Sequence, residues 1–195
     1  MSRKCCSQCL RPVSVCYCAQ IHCQPQNRWP VYIVQDTRES SHAIGTARIA
    51  ALSLSNCRLT TLNPDKSHHS AELDAIRLLQ PVLIYPGDNA RDVSELTGAP
   101  VTPLLFVDAS WRRSRKIMHT QPWIADLPRY SLNLSAGSRY RIRQQPGEHA
   151  LSTLEAIVYT LQQLETGPER FNSLLATMDW VVDQQIKHIT ANISQ

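Results

Sequence analysis

The sequence predicts an α/β domain with a mainly parallel sheet flanked by helices, carrying a small cysteine-rich cap at its N-terminus. Three observations lead there. The runs Val31-Tyr32-Ile33-Val34, Val82-Leu83-Ile84-Tyr85 and Leu104-Leu105-Phe106-Val107 are short and continuously apolar, as strands buried on both faces are. Helix-like segments separate them, the alternation that builds a parallel sheet. Six of the seven cysteines (Cys5, Cys6, Cys9, Cys16, Cys18 and Cys23) fall within the first 23 residues; the seventh is Cys57.

The elements follow in order. Residues 1 to 29 show little periodicity and form the cap; residues 30 to 195 form the larger domain. After the first apolar strand, Gln35 to His42 reads as a polar loop. Thr46 to Leu54 is expected to be helical, Arg58 to Leu62 a strand, Asn63 to Ser70 a loop and Ala71 to Leu79 a helix that Pro81 interrupts. The second apolar strand stops at Pro86-Gly87, and the third ends at Asp108. A helix carrying Trp111 comes next. Arg129 to Leu134 and Arg139 to Arg143 alternate as strands do. Leu151 to Glu165 puts Leu151, Leu154, Val158, Leu161 and Leu164 on one helical face. Pro168 suits the start of a last helix reaching Ile189.

A chain of 195 residues, 43% hydrophobic, suits one domain with an ordinary core. No apolar run approaches the roughly 20 residues of a membrane span. The opening Met1-Ser2-Arg3-Lys4-Cys5 lacks the apolar centre of a secretory signal, so a cytoplasmic protein with no membrane partner is expected. Thiols stay reduced there, and clustered cysteines then point to a metal. Cys6-x-x-Cys9 and Cys16-x-Cys18 can surround one Zn²⁺ tetrahedrally, a closed and therefore structural site. Cys5 and Cys23 are alternative ligands, and an iron–sulfur cluster is the alternative occupant.

Charge is unevenly spread. Between Ala109 and Gly147 stand Arg112, Arg113, Arg115, Lys116, Arg129, Arg139, Arg141 and Arg143, opposed only by Asp126. That stretch carries +7 in a chain whose net charge is +4. Such a zone fits a phosphate-rich partner, and arginine's planar fork favours phosphate and stacked bases. Arg112, Arg113, Arg115, Lys116, Arg139 and Arg141 are the candidate RNA-binding residues; a solvated basic face is the plainer alternative.

In parallel sheets ligands bind beyond the carboxyl ends of strands. Tyr85-Pro86-Gly87 and Asp108-Ala109-Ser110-Trp111 stand at two such ends. These motifs, the cysteine pairs, Tyr140-x-Ile142-Arg143 and Leu151-Ser152-Thr153-Leu154-Glu155-Ala156 run in the order seen in the DTW-domain family, and the chain resembles the bacterial tRNA-uridine 3-amino-3-carboxypropyltransferases of that family. Three positions depart from the pattern. Ser110 replaces the usual threonine, Asp36-Thr37-Arg38-Glu39 keeps only the glutamate of an H-P-x-E loop, and Gly45 replaces an asparagine.

The resemblance implies a SPOUT-like knotted domain and a transfer of the 3-amino-3-carboxypropyl group of S-adenosylmethionine to N3 of a uridine in the tRNA variable loop. The second product is 5′-methylthioadenosine. DNA is not an expected partner, and a monomer is favoured. Asp108 is the candidate base for the uridine N3 proton, its carboxyl raised by partial burial from about 3.9; capping of the next helix is the structural alternative. Ser110 would cap that helix or hold the uracil edge, and Trp111 would stack on a base or anchor the core. Tyr85, Pro86, Gly87, Arg143, Leu151, Ser152, Thr153 and Glu155 are the candidate cofactor residues. Ser152-x-x-Glu155 also reads as a capping box. A SPOUT-type methyltransferase and a non-catalytic RNA-binding protein are the competing functions.

Overall fold

The computed structural model describes residues 4–41, 45–66, 70–133 and 151–193. Arg139, Arg141, Arg143 and the strand expected around them lie outside the described residues. Six strands form one sheet: β1 (Val31–Asp36), β2 (Cys57–Leu62), β3 (Val82–Ile84), β4 (Arg91–Asp92), β5 (Leu104–Asp108) and β6 (Arg129–Ser131). Their order is β2-β1-β5-β3-β6-β4, and every pairing is parallel. Among the described residues six α-helices accompany them: α1 (Thr46–Ser53), α2 (Ala71–Leu78), α3 (Trp111–Thr120), α4 (Pro122–Ala125), α5 (Thr153–Leu164) and α6 (Asn172–Ile193).

The continuous apolar runs follow from the layering. Side chains alternate between the two faces of a strand, and here both faces are covered. Val31, Ile33, Val82, Ile84, Leu104 and Phe106 join one core with residues of α1, α5 and α6. Val34, Leu83 and Leu105 join the other with Leu73 and Ile76 of α2, Ile117 of α3 and Ile124 of α4. The sheet is thus sandwiched between two helical layers. Leu154, Ile157, Val158 and Leu161 of α5 are fully buried, each contributing about 1.5–3 kcal/mol of apolar transfer.

The cap belongs to the first of these cores. Cys9, Tyr17 and Trp29 are buried in the same cluster as α5 and α6. The Thr177 hydroxyl donates to the carbonyl of Gln20 at 3.2 Å, and the Trp29 amide donates to Glu165 at 2.9 Å.

Several boundaries differ from expectation. α2 closes at Leu78, and Gln80 takes φ +49° just before Pro81, so a left-handed residue and not the proline alone ends the helix. Pro168 starts a 3₁₀ turn, Pro168–Phe171, ahead of α6. β4, the Val93–Leu96 turn after it and α4 were not expected. Among the described residues no helix is long and apolar enough to cross a membrane.

Candidate active site

The chain runs from β1 outward to β2 and then places its remaining strands on the other side of β1. The carboxyl ends of β1, β5 and β3 therefore lie side by side where the order reverses, the usual position of a ligand crevice in such sheets. Alternation decides what each end presents. Gln35 and Asp108 follow the parity of Ile33 and Phe106 and point to the α5 side. Asp36 follows Val34 and points to the α3 side.

Asp108 is held between β1 and α5. The Gln35 amide donates to its Oδ2 at 2.7 Å, and the Thr153 hydroxyl donates to its Oδ1 at 2.6 Å. Both contacts run to the α5 side of the sheet, whereas a cap on α3 was the structural alternative for this residue. Ser110 occupies the N-cap position of α3 by its backbone, but its side chain makes no capping bond.

On the opposite side, Asp36 is 0% exposed and receives Arg113 through both Nε and Nη2, the latter at 3.0 Å to Oδ1. Arg113 also donates to Asp65 at 2.7 Å, and Lys116 completes the group on Asp65. Burial pulls the Asp36 carboxyl upward, but bonds from Arg113 and the Arg38 amide outweigh it and leave the group below its ordinary value. Lys116, then Arg113, draw Asp65 down to about 2. Arg113, expected from the sequence to face RNA, is 8% exposed and engaged by two carboxylates. Arg112 and Arg115 are exposed, and Lys116 is exposed while paired to Asp65.

The end of β3 carries an aromatic and cationic group. Tyr85 shares a hydrogen bond with the buried Ser114 at 2.7 Å and meets Trp111 edge-on at 5.7 Å. Trp111 is 40% exposed, so it is no core anchor. Arg129 lies over the Tyr85 ring at 5.7 Å. A Cβ at Gly87 would stand 2.9 Å from Arg129 Nη1, so this glycine makes room for the guanidinium. Pro86 and Gly87 are exposed.

At the start of α5 the capping box closes on itself. Ser152 Oγ accepts from the Glu155 amide at 3.3 Å, and Glu155 Oε2 accepts from the Ser152 amide at 2.8 Å. Glu155 is 0% exposed. The capping box expected from the sequence is thus formed and orders this turn. Thr153 faces Asp108, and Leu151 is half-buried beside it in the chain.

In the cap, Cys6, Cys9, Cys16 and Cys18 place their sulfurs within 4.8 Å of one another. Cys6 and Cys18 are 3.7 Å apart, and Cys9 and Cys16 are 3.6 Å apart. A tetrahedral ion with bonds of about 2.3 Å requires sulfurs separated by about 3.8 Å. Leu10, at φ +60°, turns the chain after the first pair. Backbone bonds from Cys9 and then Gln8 draw the Cys6 thiol down to about 6, whereas burial pushes Cys18 up to about 12. Cys5 and Cys23 stand outside this group.

The profile of the DTW domain matches residues 3–186. The chain belongs to the DTW domain family. It is 27% identical over 190 residues to the tRNA-uridine aminocarboxypropyltransferase 2 of Macaca fascicularis, and 26% identical over 190 residues to that of Mus musculus. Each alignment covers 94% of this chain and 64% of the relative, so the chain spans less than two thirds of those mammalian proteins. The Drosophila melanogaster tRNA-uridine aminocarboxypropyltransferase 2 is 28% identical over 188 residues, covering 93% of this chain and 74% of the relative. No solved structure gives a significant match.

Family membership makes the departures instructive. Asp36, in the loop that departs from the expected pattern, has its buried charge met by Arg113. Gly45 sits at the N-cap of α1, where it offers no side-chain oxygen. Sequence reasoning missed Gln35, Asp36, Ser114 and the placement of Arg129. The signal available for the first two was a polar pair ending an apolar strand.

Proposed function

We propose that this protein transfers the 3-amino-3-carboxypropyl group of S-adenosylmethionine to N3 of a uridine in the tRNA variable loop, giving 5′-methylthioadenosine as second product. The observation that carries this reading is the Asp108 carboxylate, fixed by two neutral donors at the carboxyl end of β5 in a chain of the DTW domain family. The names of the animal relatives, tRNA-uridine aminocarboxypropyltransferases, support it.

Asp108 accepts the N3 proton, and the N3 lone pair then attacks the methionine-derived carbon γ to the carboxylate while the carbon–sulfur bond breaks. The sulfonium supplies the electrophile and the thioether leaving group. Tyr85, Pro86, Gly87, Leu151 and Thr153 hold the cofactor, the capping box of Ser152 and Glu155 orders the turn beneath it, and Arg143 pairs with its carboxylate. The fit rests on the exposed Trp111 beside Tyr85 and on Thr153, at the start of α5, facing Asp108. Ser110 holds the uracil edge and Trp111 stacks on a base. Arg112, Arg115 and Lys116, with Arg139 and Arg141, receive RNA phosphates.

We read the chain as two working parts, a cap over residues 1–29 and a transferase domain over residues 30–195, acting as a cytoplasmic monomer. The four thiols of the cap suit Zn²⁺, which would hold the segment together and take no part in transfer. The domain is read as SPOUT-like and knotted.

Mass spectrometry of a reaction with S-adenosylmethionine and unmodified tRNA tests the activity. A uridine carrying the aminocarboxypropyl mass, with methylthioadenosine released, is the expected result. A methyl addition with S-adenosylhomocysteine overturns it. Metal analysis should find about one zinc per chain, and full activity in zinc-free protein would remove the structural role.

A further inference from the structure

We infer that Gln35 is a positioning residue for the transfer, its side-chain amide holding the Asp108 carboxylate from β1 while Thr153 holds it from α5. The inference rests on Asp108 being the base. The parallel register sets Gln35 directly beside Asp108 on the neighbouring strand, and both side chains leave the same face of the sheet. Gln35 Nε2 reaches Oδ2 at 2.7 Å and Thr153 Oγ1 reaches Oδ1 at 2.6 Å, so among the described residues each oxygen receives a neutral donor.

Burial argues that the amide serves more than packing. Gln35 is 1% exposed, and its Oε1 has no hydrogen-bond partner among the described residues. A buried acceptor left unpaired destabilises a fold, and an apolar residue at this position, such as Ile33 two residues earlier, would avoid that penalty. What an apolar residue cannot supply is the N–H that Asp108 receives. The donor is also neutral, so it fixes the carboxylate without cancelling its charge, unlike the arginine on Asp36.

Two variants test this. Gln35→Glu keeps the shape and donates to Asp108 only while it holds a proton; once it ionises, two carboxylates face each other. Gln35→Met keeps the bulk and donates at no pH. With wild-type protein as reference, Gln35→Glu should retain most of its kcat near pH 6. Near pH 8.5 it should fall about tenfold to hundredfold below wild type, with KM for tRNA and S-adenosylmethionine unchanged. Gln35→Met should be depressed across the whole range.

Carboxyl ¹³C NMR of the free protein, with the signal assigned by Asp108→Asn, should show Asp108 titrating at higher pH in Gln35→Glu than in wild type. Wild-type profiles in both variants, or losses that merely track a lowered thermal midpoint, would overturn the inference, as would an unmoved Asp108 titration. If the wild-type protein forms no aminocarboxypropyl product, the reaction assigned above fails. The NMR titration still decides whether Gln35 governs Asp108.

Discussion

Asp36 and Asp108 end adjacent strands of one sheet, yet the chain treats them in opposite ways. Asp36 faces α3, is fully buried and meets the guanidinium of Arg113. Asp108 faces α5, is partly exposed and, among the described residues, receives an amide and a hydroxyl. A buried carboxylate paired with arginine has its charge cancelled and its geometry fixed by a second charge, which suits a joint between elements. A carboxylate held by neutral donors keeps its charge, which suits proton transfer. Partner chemistry separates the two roles, where residue type and position along the strand do not.

The largest effect that would break this contrast is at Asp108. Asp108→Asn should lower turnover about 10²–10⁴-fold while leaving the thermal midpoint and tRNA affinity close to wild type. A variant that unfolds instead would make Asp108 another structural joint. The matching change on the other side is Arg113→Met, which strands the Asp36 charge. Unfolding in urea should become about 3–5 kcal/mol easier, and Asp36→Asn added to it should recover part of the loss. Unchanged stability would mean that charge pairing does not hold Asp36.

A smaller effect separates the two by pH. Asp36 and Asp65 both titrate lower in the folded protein than when unfolded, Asp65 at about 2. Groups depressed in this direction stabilise at neutral pH, and that stabilisation disappears as pH falls from about 4 toward 2. Acid unfolding followed by circular dichroism should show this loss in wild type and a flatter slope in Arg113→Met. The smallest effect concerns the exposed neighbours. Arg112→Gln with Arg115→Gln should weaken tRNA binding and reduce its salt slope by about 1.5, since each phosphate contact contributes about 0.7–0.9. Arg113→Met should leave that slope alone.

Much of this was readable in the sequence because burial on both faces forces continuous apolar strands. Val31 to Val34 and Leu104 to Val107 state their class without help from neighbours. The grouping of the four cap cysteines was legible for a similar reason, since their spacing is local. Arg113 was not, because its partners lie 77 and 48 residues away and only the sheet brings them to one face of α3. Gln35 was hidden at the junction of a strand and an expected loop, although a polar side chain on the parity of Ile33 marks a buried donor. β4 is two residues long and has no periodicity to read, and the turn beside it was missed although Asp92-x-x-Glu95 forms a capping box there.

The packing of the cap onto the far end of the chain also sets an order of assembly. Trp29 is tied to Glu165, the Gln26 carbonyl to Arg170 and the Gln20 carbonyl to Thr177, separations of 136, 144 and 157 residues. Contacts this distant close last, because a long loop must be ordered before they form. In synthesis the thiols of the cap are made before α6, and their protein surroundings are complete only after α6 has followed. The nascent cysteines therefore pass through synthesis without the packing that surrounds them in the folded chain, open to oxidants.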